Sequence, residues 1–193
     1  MNIVIISGSH RRYSKSLETS LYIKKTIEDE HDVTIFDLSE LHVPLWNEGF
    51  WEETDEWLFW KDISSKISNA TAIILVTPEW GGMVPPALKN FLLLCGRDEL
   101  GHKPGLIVSI SASKGGTNPV HELRSTGYKN NHICFIPDHI IIRDLDESKS
   151  PQECLSLERL QHHLHMLFSY AISLKEIRKD LRIMSPEFKY GES

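Results

Sequence analysis

A strand, a hydroxyl-rich loop and a helix follow one another directly in the first 27 residues. Residues 3–6 form an unbroken β-branched apolar run, IVII. The run is too short for a helix and apolar on both faces, as is typical of a strand buried in a parallel sheet. After residue 16 the apolar residues recur at helical spacing. A strand that leads through a polar loop into a helix directs free backbone N–H groups toward an anion. The stretch therefore predicts a parallel α/β sheet with an anion site at the end of its first strand.

The chemistry of residues 7–16 fits a phosphate monoester. Serine hydroxyls can donate hydrogen bonds, and an arginine offers a bidentate guanidinium fork. No Asp or Glu occurs in residues 1–17, although the whole chain has a net charge of −6. We therefore predict four phosphate ligands: Ser9, Arg11, Ser14 and Ser16. The alternative is that Ser14 merely caps the helix and the rest is a solvated basic loop.

Two known phosphate motifs are excluded for this loop. It lacks the spacing and the terminal Gly-Lys-Ser/Thr of a Walker loop. It also lacks the second and third glycines of the dinucleotide-binding fingerprint. The ligand must therefore be held by a different kind of loop.

Two more buried strands, at residues 72–76 and 106–110, also run into loops of small residues followed by predicted helices. Open α/β sheets bind ligands at the carboxyl ends of their strands. Backbone groups of the first of these loops are predicted to bond the edge of a flat ring, with Trp80 as a stacking face, and the second to line its other side. The predicted residues are Pro78, Glu79, Trp80, Gly81, Gly82 and Met83 in one loop, and Ser111, Ser113, Gly115 and Gly116 in the other. The alternative for both loops is an ordinary turn.

The remaining pattern completes an alternating α/β fold. Residues 33–36 predict an edge strand, and residues 133–136 and 139–142 predict a last strand interrupted by Pro137. Helices are expected at about residues 54–68, 87–94 and 118–127, with a long amphipathic helix over 157–181. Residues 46–60 hold four of the five tryptophans. These are expected to pack in the core, with a subunit interface or a lid over a flat ligand as alternatives.

Five strand–helix alternations predict a flavodoxin-like three-layer α/β sandwich. Its sheet would have five parallel strands in the order 2-1-3-4-5, with helices on both faces. The switch point lies between the first and third strands, whose loops carry the strongest ligand-type residues. We expect one domain over residues 1–193, with a mobile tail after about residue 183. FMN and a simple nucleoside monophosphate both match a phosphate site beside a ring site, so the residues alone leave both open.

Composition narrows the partners and the compartment. The mild acidity argues against a nucleic-acid partner. No apolar run approaches about 18 residues, and no signal peptide is recognised, so no membrane association is expected. Three widely spaced cysteines form no zinc pattern and indicate reduced thiols, as in the cytoplasm. His162 and His165 share a helix face, but no Cys or carboxylate stands at a partnering position, so we predict no metal site.

Two motifs resemble those of the NADPH-dependent FMN reductase family. The segment GSHRRYSKS at residues 8–16 is similar to the family's Gly-Ser-x-Arg-x-x-Ser-x-Asn phosphate loop. The segment TPEWGGMVPPALKN at residues 77–90 is similar to its Pro-Glu-Tyr-Asn-x-x-x-Pro-Gly-x-Leu-Lys-Asn segment, and residues 111–116 to its third, Gly-rich loop. The chain departs from the family pattern at four positions: Ser16 for Asn, Trp80 for Tyr, Gly81 for Asn and Pro86 for Gly.

The resemblance, which covers residues 1 to about 142, implies a function. It implies bound FMN, NADPH or NADH as co-substrate, and a small electron acceptor such as a free flavin, a quinone, an azo compound or a metal oxyanion. It also implies a homodimer or homotetramer. The cofactor carries the chemistry, so no catalytic side chain is predicted. The alternatives are a flavodoxin-like electron carrier without enzymatic turnover and a flavin-free domain that senses nucleotides.

Overall fold

A computed structural model describes residues 1–129 and 131–184, with only the backbone for 181–184. The predicted mobile tail falls on residues 185–193, outside the described residues. Strands and helices alternate along the chain. The strands are β1 (Asn2–Ser7), β2 (Asp32–Asp37), β3 (Ala72–Pro78), β4 (Pro104–Ile110), β5 (Cys134–Phe135) and β6 (Ile140–Ile142). The helices are α1 (Lys15–Ile27), α2 (Trp60–Asn69), α3 (Pro86–Leu94), α4 (Arg97–Leu100), α5 (Thr117–Thr126), α6 (Pro151–Cys154) and α7 (Leu157–Met184).

The sheet is parallel throughout and has the predicted order. Its strands lie in the sequence β2-β1-β3-β4, and both β5 and β6 pair with β4 at the fifth position. The register pairs Ile5 with Ile74, and Ile74 with Leu106, so the most apolar runs lie side by side. The last strand is split, as Pro137 predicted, because proline has no N–H to donate to the ladder.

Alternate residues of the central strands pack into two separate cores. Val4, Ile6 and Leu75 face α2, α3 and α5 on one side of the sheet. Ile3 and Ile5 face α1 and α7 on the other side. All five side chains are at most 2% exposed, so the strands are apolar on both faces because both faces are covered. The predicted three-layer sandwich is confirmed.

The Trp-rich segment is where the structure differs most from the predicted elements. The helix expected from about residue 54 begins only at Trp60, after a short 3₁₀ turn at Asp55–Trp57. The turn is held by the indole of Trp57, which is buried and donates to Asn47 Oδ1 at 3.3 Å. Trp57 and Trp60 belong to the core, as predicted, whereas Trp51 is 71% exposed and packs edge-on against Trp46.

Four loops meet at one rim of the sheet because every strand pairing is parallel. We name them the first loop (residues 8–14, after β1), the second loop (79–85, after β3), the third loop (111–116, after β4) and the fourth loop (143–150, after β6). The first loop packs directly against the sheet, since Gly8 N donates to Val76 O at 2.8 Å. A Cβ on Gly8 would lie 2.8–2.9 Å from Leu88 and Val76, so this close approach needs glycine.

Candidate cofactor-binding site

A cleft of about 430 Å³ opens between the loops at this rim. Half of the predicted ligand residues line it. These are Ser9, Arg11, Ser14, Ser16, Pro78, Glu79 and Trp80. The switch-point cleft of the predicted topology therefore exists, and the loops after β1 and β3 form two of its walls.

The first loop presents hydroxyls whose oxygens already accept backbone hydrogen bonds. Ser9 Oγ accepts from Arg11 N at 3.1 Å, and Ser14 Oγ accepts from Leu17 N at 3.2 Å. Ser14 thus caps α1, as the alternative for this residue held, but the hydroxyl hydrogens of both serines remain available. Capping and anion binding are compatible at these positions.

Ser16, in the first turn of α1, carries the sharpest ligand signal in the cleft. Its residue is 0% exposed, and its Oγ has no hydrogen-bond partner among the described residues. Buried hydroxyls are almost always bonded, because an unsatisfied one costs about 1–3 kcal/mol. An acceptor in the cleft would satisfy it. Ser16 also lies at the positive end of a 13-residue helix, where anions are stabilised.

The basic residues of the first loop do not all serve this cleft. Lys15 Nζ is bonded to Glu18 Oε2 and to Lys149 O, both at 2.8 Å. His10 and Arg12 line a different cavity. Arg11 lines the cleft, and its guanidinium has no ion pair within the part of the chain that the structure describes. Of the basic side chains expected at the phosphate site, Arg11 is therefore the one that lines the cleft without an ion pair among the described residues.

The second loop is a tight turn that uses its own amides. Trp80 and Met83 exchange backbone hydrogen bonds of 3.0 Å, and Gly81 and Gly82 have positive φ values of 57° and 76°. The two glycines supply the backbone conformation of a type I′ turn. Glu79 N donates to Ile110 O. Gly81, Gly82 and Met83 are not among the residues that line the cleft, and bonding of a ring edge by their backbone stays a prediction.

The first and second loops touch through an aromatic contact. The rings of His10 and Trp80 lie 4.5 Å apart at an interplanar angle of 67°. Edge-to-face contacts of this kind contribute about 0.5–1.5 kcal/mol beyond the buried area. The contact fixes Trp80 at the border of the cleft, where its indole offers an apolar wall.

The third loop is joined to the second loop through the side chain of Glu79. Glu79 Oε2 accepts a hydrogen bond of 2.6 Å from Gly116 N, and a Cβ on Gly115 would lie 1.9 Å from the same oxygen. Ser111 Oγ accepts from Ser113 N. Ala112 lines the cleft in their place. Ser111, Ser113, Gly115 and Gly116 are not among the residues that line the cleft, and their predicted role beside the ring stays a prediction.

The fourth loop is a wall of the cleft that sequence reasoning missed. Leu145, Asp146 and Glu147 line it, and Leu145 N donates to Ser111 O at 3.1 Å. Hydrogen bonds from the Ser148 side chain and backbone lower the pKa of Asp146. Tyr13, Lys15, Glu18 and Ile110 also line the cleft without having been predicted as ligands. The available sequence signal was the predicted last parallel strand at residues 139–142, because the loop after it must lie at the same rim as the other loops.

These observations fit a phosphate beside a flat ring. Ser9, Ser14, Ser16 and Arg11 surround the N-terminus of α1, while Pro78, Trp80, Ala112 and Leu145 provide apolar surface. FMN has these two ends, and the buried orphan hydroxyl of Ser16 matches its phosphate. A Ca²⁺- or Zn²⁺-type cluster of three or more His, Cys, Asp or Glu does not occur among the described residues.

Comparison with known proteins decides the family. The model of the NADPH-dependent FMN reductase family matches residues 1–146 of the chain. The chain belongs to this family. The family name states both the nicotinamide co-substrate and the flavin. The protein is accordingly a flavin-dependent NAD(P)H oxidoreductase with FMN as cofactor and NAD(P)H as co-substrate. The family resemblance drawn from the two motifs is confirmed.

Individual relatives agree with this assignment. The chain is 24% identical to an NADPH azoreductase from Bacillus sp. over 95% of this chain and 99% of that protein. It is 32% identical to an NAD(P)H-dependent FMN reductase from Saccharomyces cerevisiae over 60% of this chain and 68% of that protein. A quinone reductase from Pseudomonas putida is 26% identical over 65% of this chain and 68% of that protein.

Solved structures share the fold. An oxidoreductase from Corynebacterium diphtheriae superposes with a TM-score of 0.69 at 15% identity, covering 89% of this chain and 97% of that one. A flavoenzyme NAD(P)H:(acceptor) oxidoreductase from Paracoccus denitrificans superposes with a TM-score of 0.66 at 17% identity, covering 91% and 97%. In the described part of the chain, no helix is both long enough and apolar enough to serve as a membrane span.

Proposed function

We propose that the chain passes electrons from NAD(P)H to a small flat acceptor, a quinone or an azo compound. One observation carries the proposal: the loops after β1, β3, β4 and β6 line a single cleft that is also lined by Ser16, whose hydroxyl has no partner among the described residues. The azoreductase and quinone reductase relatives support an azo compound or a quinone as acceptor, and the FMN reductase relative supports a free flavin as a further flat acceptor.

The residues of the first loop would hold the cofactor's phosphate. Ser9, Ser14 and Ser16 would donate their hydroxyl hydrogens, and Arg11 would add a charge-assisted pair of hydrogen bonds. Trp80 and Pro78 would flank the ring from the second loop, and Ala112 from the third. Tyr13, which is 92% exposed at a positive φ of 53°, stands at the mouth of the cleft.

The chemistry needs no side chain of the protein as acid or base. When bound, FMN supplies hydride acceptance from the nicotinamide and two-electron transfer to the acceptor. The net reaction with a quinone is NADPH plus H⁺ plus quinone to NADP⁺ plus quinol, so the hydride and one solvent proton account for both new O–H bonds. The protein's part is to position the partners at the same face of the cleft and to hold the loops still.

We also propose a cytoplasmic location and self-association. The three cysteines are unpaired, which favours a reducing compartment. A groove between α3 and α5, lined by Leu92 and Leu123, lies beside Leu93, which is 64% exposed. An apolar surface of this kind is suited to a second copy. Light scattering of the purified protein tests this, with a monomer at all concentrations as the contradicting result.

The function is tested by steady-state oxidation of NADPH with menadione as acceptor. We expect turnover by the purified, FMN-loaded protein without a partner reductase. A flavodoxin-like carrier would show negligible turnover in this assay but would still bind FMN. A flavin-free nucleotide sensor would bind no FMN at all. Negligible turnover with menadione and with an azo dye would therefore refute the proposed acceptor class.

A further inference from the structure

The fourth loop, residues 143–150, is bonded at its start to the third loop. Asp144 N donates to Ser113 O at 2.9 Å, and Leu145 N donates to Ser111 O at 3.1 Å. Leu145, which lines the cofactor cleft, is only 1% exposed. The first part of this wall of the cleft is therefore fixed by backbone hydrogen bonds to a neighbouring loop.

The rest of the fourth loop has fewer connections. Ser148 N and Ser148 Oγ both donate to Asp146 Oδ1, at 2.9 and 2.6 Å, so these bonds stay within the loop. Among the described residues, one hydrogen bond joins residues 146–150 to a distant part of the chain. Lys15 Nζ donates it to Lys149 O over 2.8 Å, and the two residues are 134 positions apart. The second half of the wall therefore depends on a single side chain of α1.

Lys15 occupies a position in α1 where a lysine is locally unfavourable. It is the first residue of the helix, and the positive end of a helix repels a cation. Its ammonium is compensated by Glu18 Oε2 at 2.8 Å, and the Lys15 side chain is only 22% exposed. The carbonyl of Lys149 supplies a second partner. These two contacts account for a lysine at this position without a phosphate.

Two roles for this lysine lead to different expectations, since Lys15 also lines the cleft beside the proposed phosphate ligands. As a phosphate ligand, it would matter only for a flavin that carries a phosphate. As a tie to the fourth loop, it would matter for any flavin, because a wall that is ordered in advance lowers the entropy cost of binding. The bonds to Glu18 and Lys149 favour the second role, and charge-assisted bonds are the stronger class of hydrogen bond.

We propose that Lys15 is a positioning residue that holds the second half of the fourth loop as a wall of the cofactor cleft. Its ammonium bonds the carbonyl of Lys149 before the cofactor arrives, and so keeps Asp146 and Glu147 at the border of the cleft. Loss of the bond leaves this part of the wall free to move away, which weakens flavin binding irrespective of the phosphate. The inference rests on the proposed placement of FMN in this cleft.

The test measures the dissociation constants of FMN and of riboflavin, which lacks the phosphate, by fluorescence titration of the flavin-free protein. Lys15→Met removes the donor and keeps most of the length of the side chain. We expect it to weaken FMN and riboflavin by the same factor, about three- to tenfold. Arg11→Ala should instead weaken FMN alone. Lys149→Met is the matched control, because it removes the same charge while the carbonyl that accepts the bond stays, and it should bind both flavins as the wild type does.

A second readout follows the loop itself in the flavin-free protein. Cleavage after Glu147 by a Glu-specific protease, identified by mass spectrometry, should be faster in Lys15→Met than in the wild type or in Lys149→Met, because proteases cut loops that are poorly held. Lys15→Arg keeps a donor for the carbonyl of Lys149. It should restore slow cleavage and most of the affinity for both flavins.

Several outcomes would overturn the inference. Weaker binding of FMN with unchanged binding of riboflavin in Lys15→Met would make Lys15 a phosphate ligand. Unchanged affinity for both flavins, even with a lower thermal stability, would leave the bond a purely structural role. An equal loss of affinity in Lys149→Met would make the effect one of charge alone. In these three cases the inference fails while the cofactor site stands, whereas a wild type that binds neither flavin would contradict the proposed site and the inference together.

Discussion

Ser16 is completely buried, and its hydroxyl has no hydrogen-bond partner among the described residues, as is also true of Thr19 and Ser109. Of these three residues, Ser16 is the one that lines the cleft. Without a ligand the hydroxyl is a liability, because it has lost its water without gaining a partner. A bound phosphate converts it into a donor to a charged acceptor, which is the stronger class of hydrogen bond. The residue therefore stabilises the loaded protein and not the empty one.

Replacing this hydroxyl should separate cofactor affinity from stability. Ser16→Ala should leave the free energy of unfolding of the FMN-free protein unchanged or raise it, and should weaken FMN about tenfold. The matched control is Ser20→Ala, one helical turn later. Ser20 is equally buried, but its Oγ donates to Ser16 O at 2.8 Å. The Ser20→Ala variant should have a lower free energy of unfolding, with little change in FMN affinity. Denaturant unfolding and FMN titration of both variants check this, and a stability loss in Ser16→Ala without an FMN effect would contradict it.

Arg11 is the residue whose loss should cost the most affinity. Arg11→Ala removes a charge-assisted contact worth about 1.5–3 kcal/mol, or about 10- to 150-fold in the FMN dissociation constant. Increasing salt should weaken FMN binding in the wild type more than in the variant, because the exposed charge is screened. Unchanged FMN affinity in a fluorescence titration would remove Arg11 from the site.

The second and third loops are linked by the hydrogen bond from Gly116 N to Glu79 Oε2. Gly115→Ala would place a Cβ 1.9 Å from Glu79 Oε2 and so break the bond to Gly116 N. The loops must then separate, and FMN affinity should fall about tenfold or more although neither glycine lines the cleft. Ser113→Ala, in the same loop but exposed, is the control and should behave as wild type. Wild-type FMN affinity in Gly115→Ala would show that the link is dispensable.

A second link joins α5 to α3, because Glu122 accepts hydrogen bonds from Lys89 Nζ and from Val84 N. Burial acts to raise the pKa of Glu122, but hydrogen bonds from Lys89 Nζ and Val84 N outweigh it and lower the pKa below 4.5. A carboxyl with a lowered pKa in the folded state contributes stability that is complete above 4.5 and is lost as the pH falls through the folded value.

Glu122→Gln isolates this contribution. The difference in unfolding free energy between wild type and variant should be constant at neutral pH and shrink as the pH falls below 4.5. Thermal unfolding across the acid range measures it. The replacement at the neighbouring, exposed Ser125, Ser125→Ala, should show no such pH dependence. A difference that stays constant down to the acid limit would assign Glu122 no charge-dependent role.

The fold of the whole molecule could be predicted because its buried strands are recognisable in the sequence. Runs such as residues 3–6 and 72–76 are apolar on both faces, which only a covered parallel sheet accommodates. The start of α2 could not be read, because the Trp57–Asn47 bond that holds the preceding turn joins residues ten apart in a loop. The short helices α4 and α6 lack any long periodic pattern.

Residues of the cleft could be predicted only where neighbouring residues in the sequence have side chains suited to binding a ligand. The serines and the arginine of the first loop predict an anion site. The direction in which each side chain points does not follow from the order of the residues in the sequence. Nothing in residues 143–150 marks a ligand wall, and they reach the cleft through the pairing of β6 with β4. The third loop has the small residues of a ligand loop but uses them to accommodate Glu79.

We infer that these four loops together bind one FMN per chain. The direct measurement is a titration of FMN into flavin-free protein, followed by flavin fluorescence and by the absorption spectrum of the complex. We expect saturation at one FMN per chain, with flavin absorption bands retained after gel filtration and affinity lowered in both Ser16→Ala and Arg11→Ala. Binding that does not saturate, or that is identical in the wild type and both variants, would contradict it.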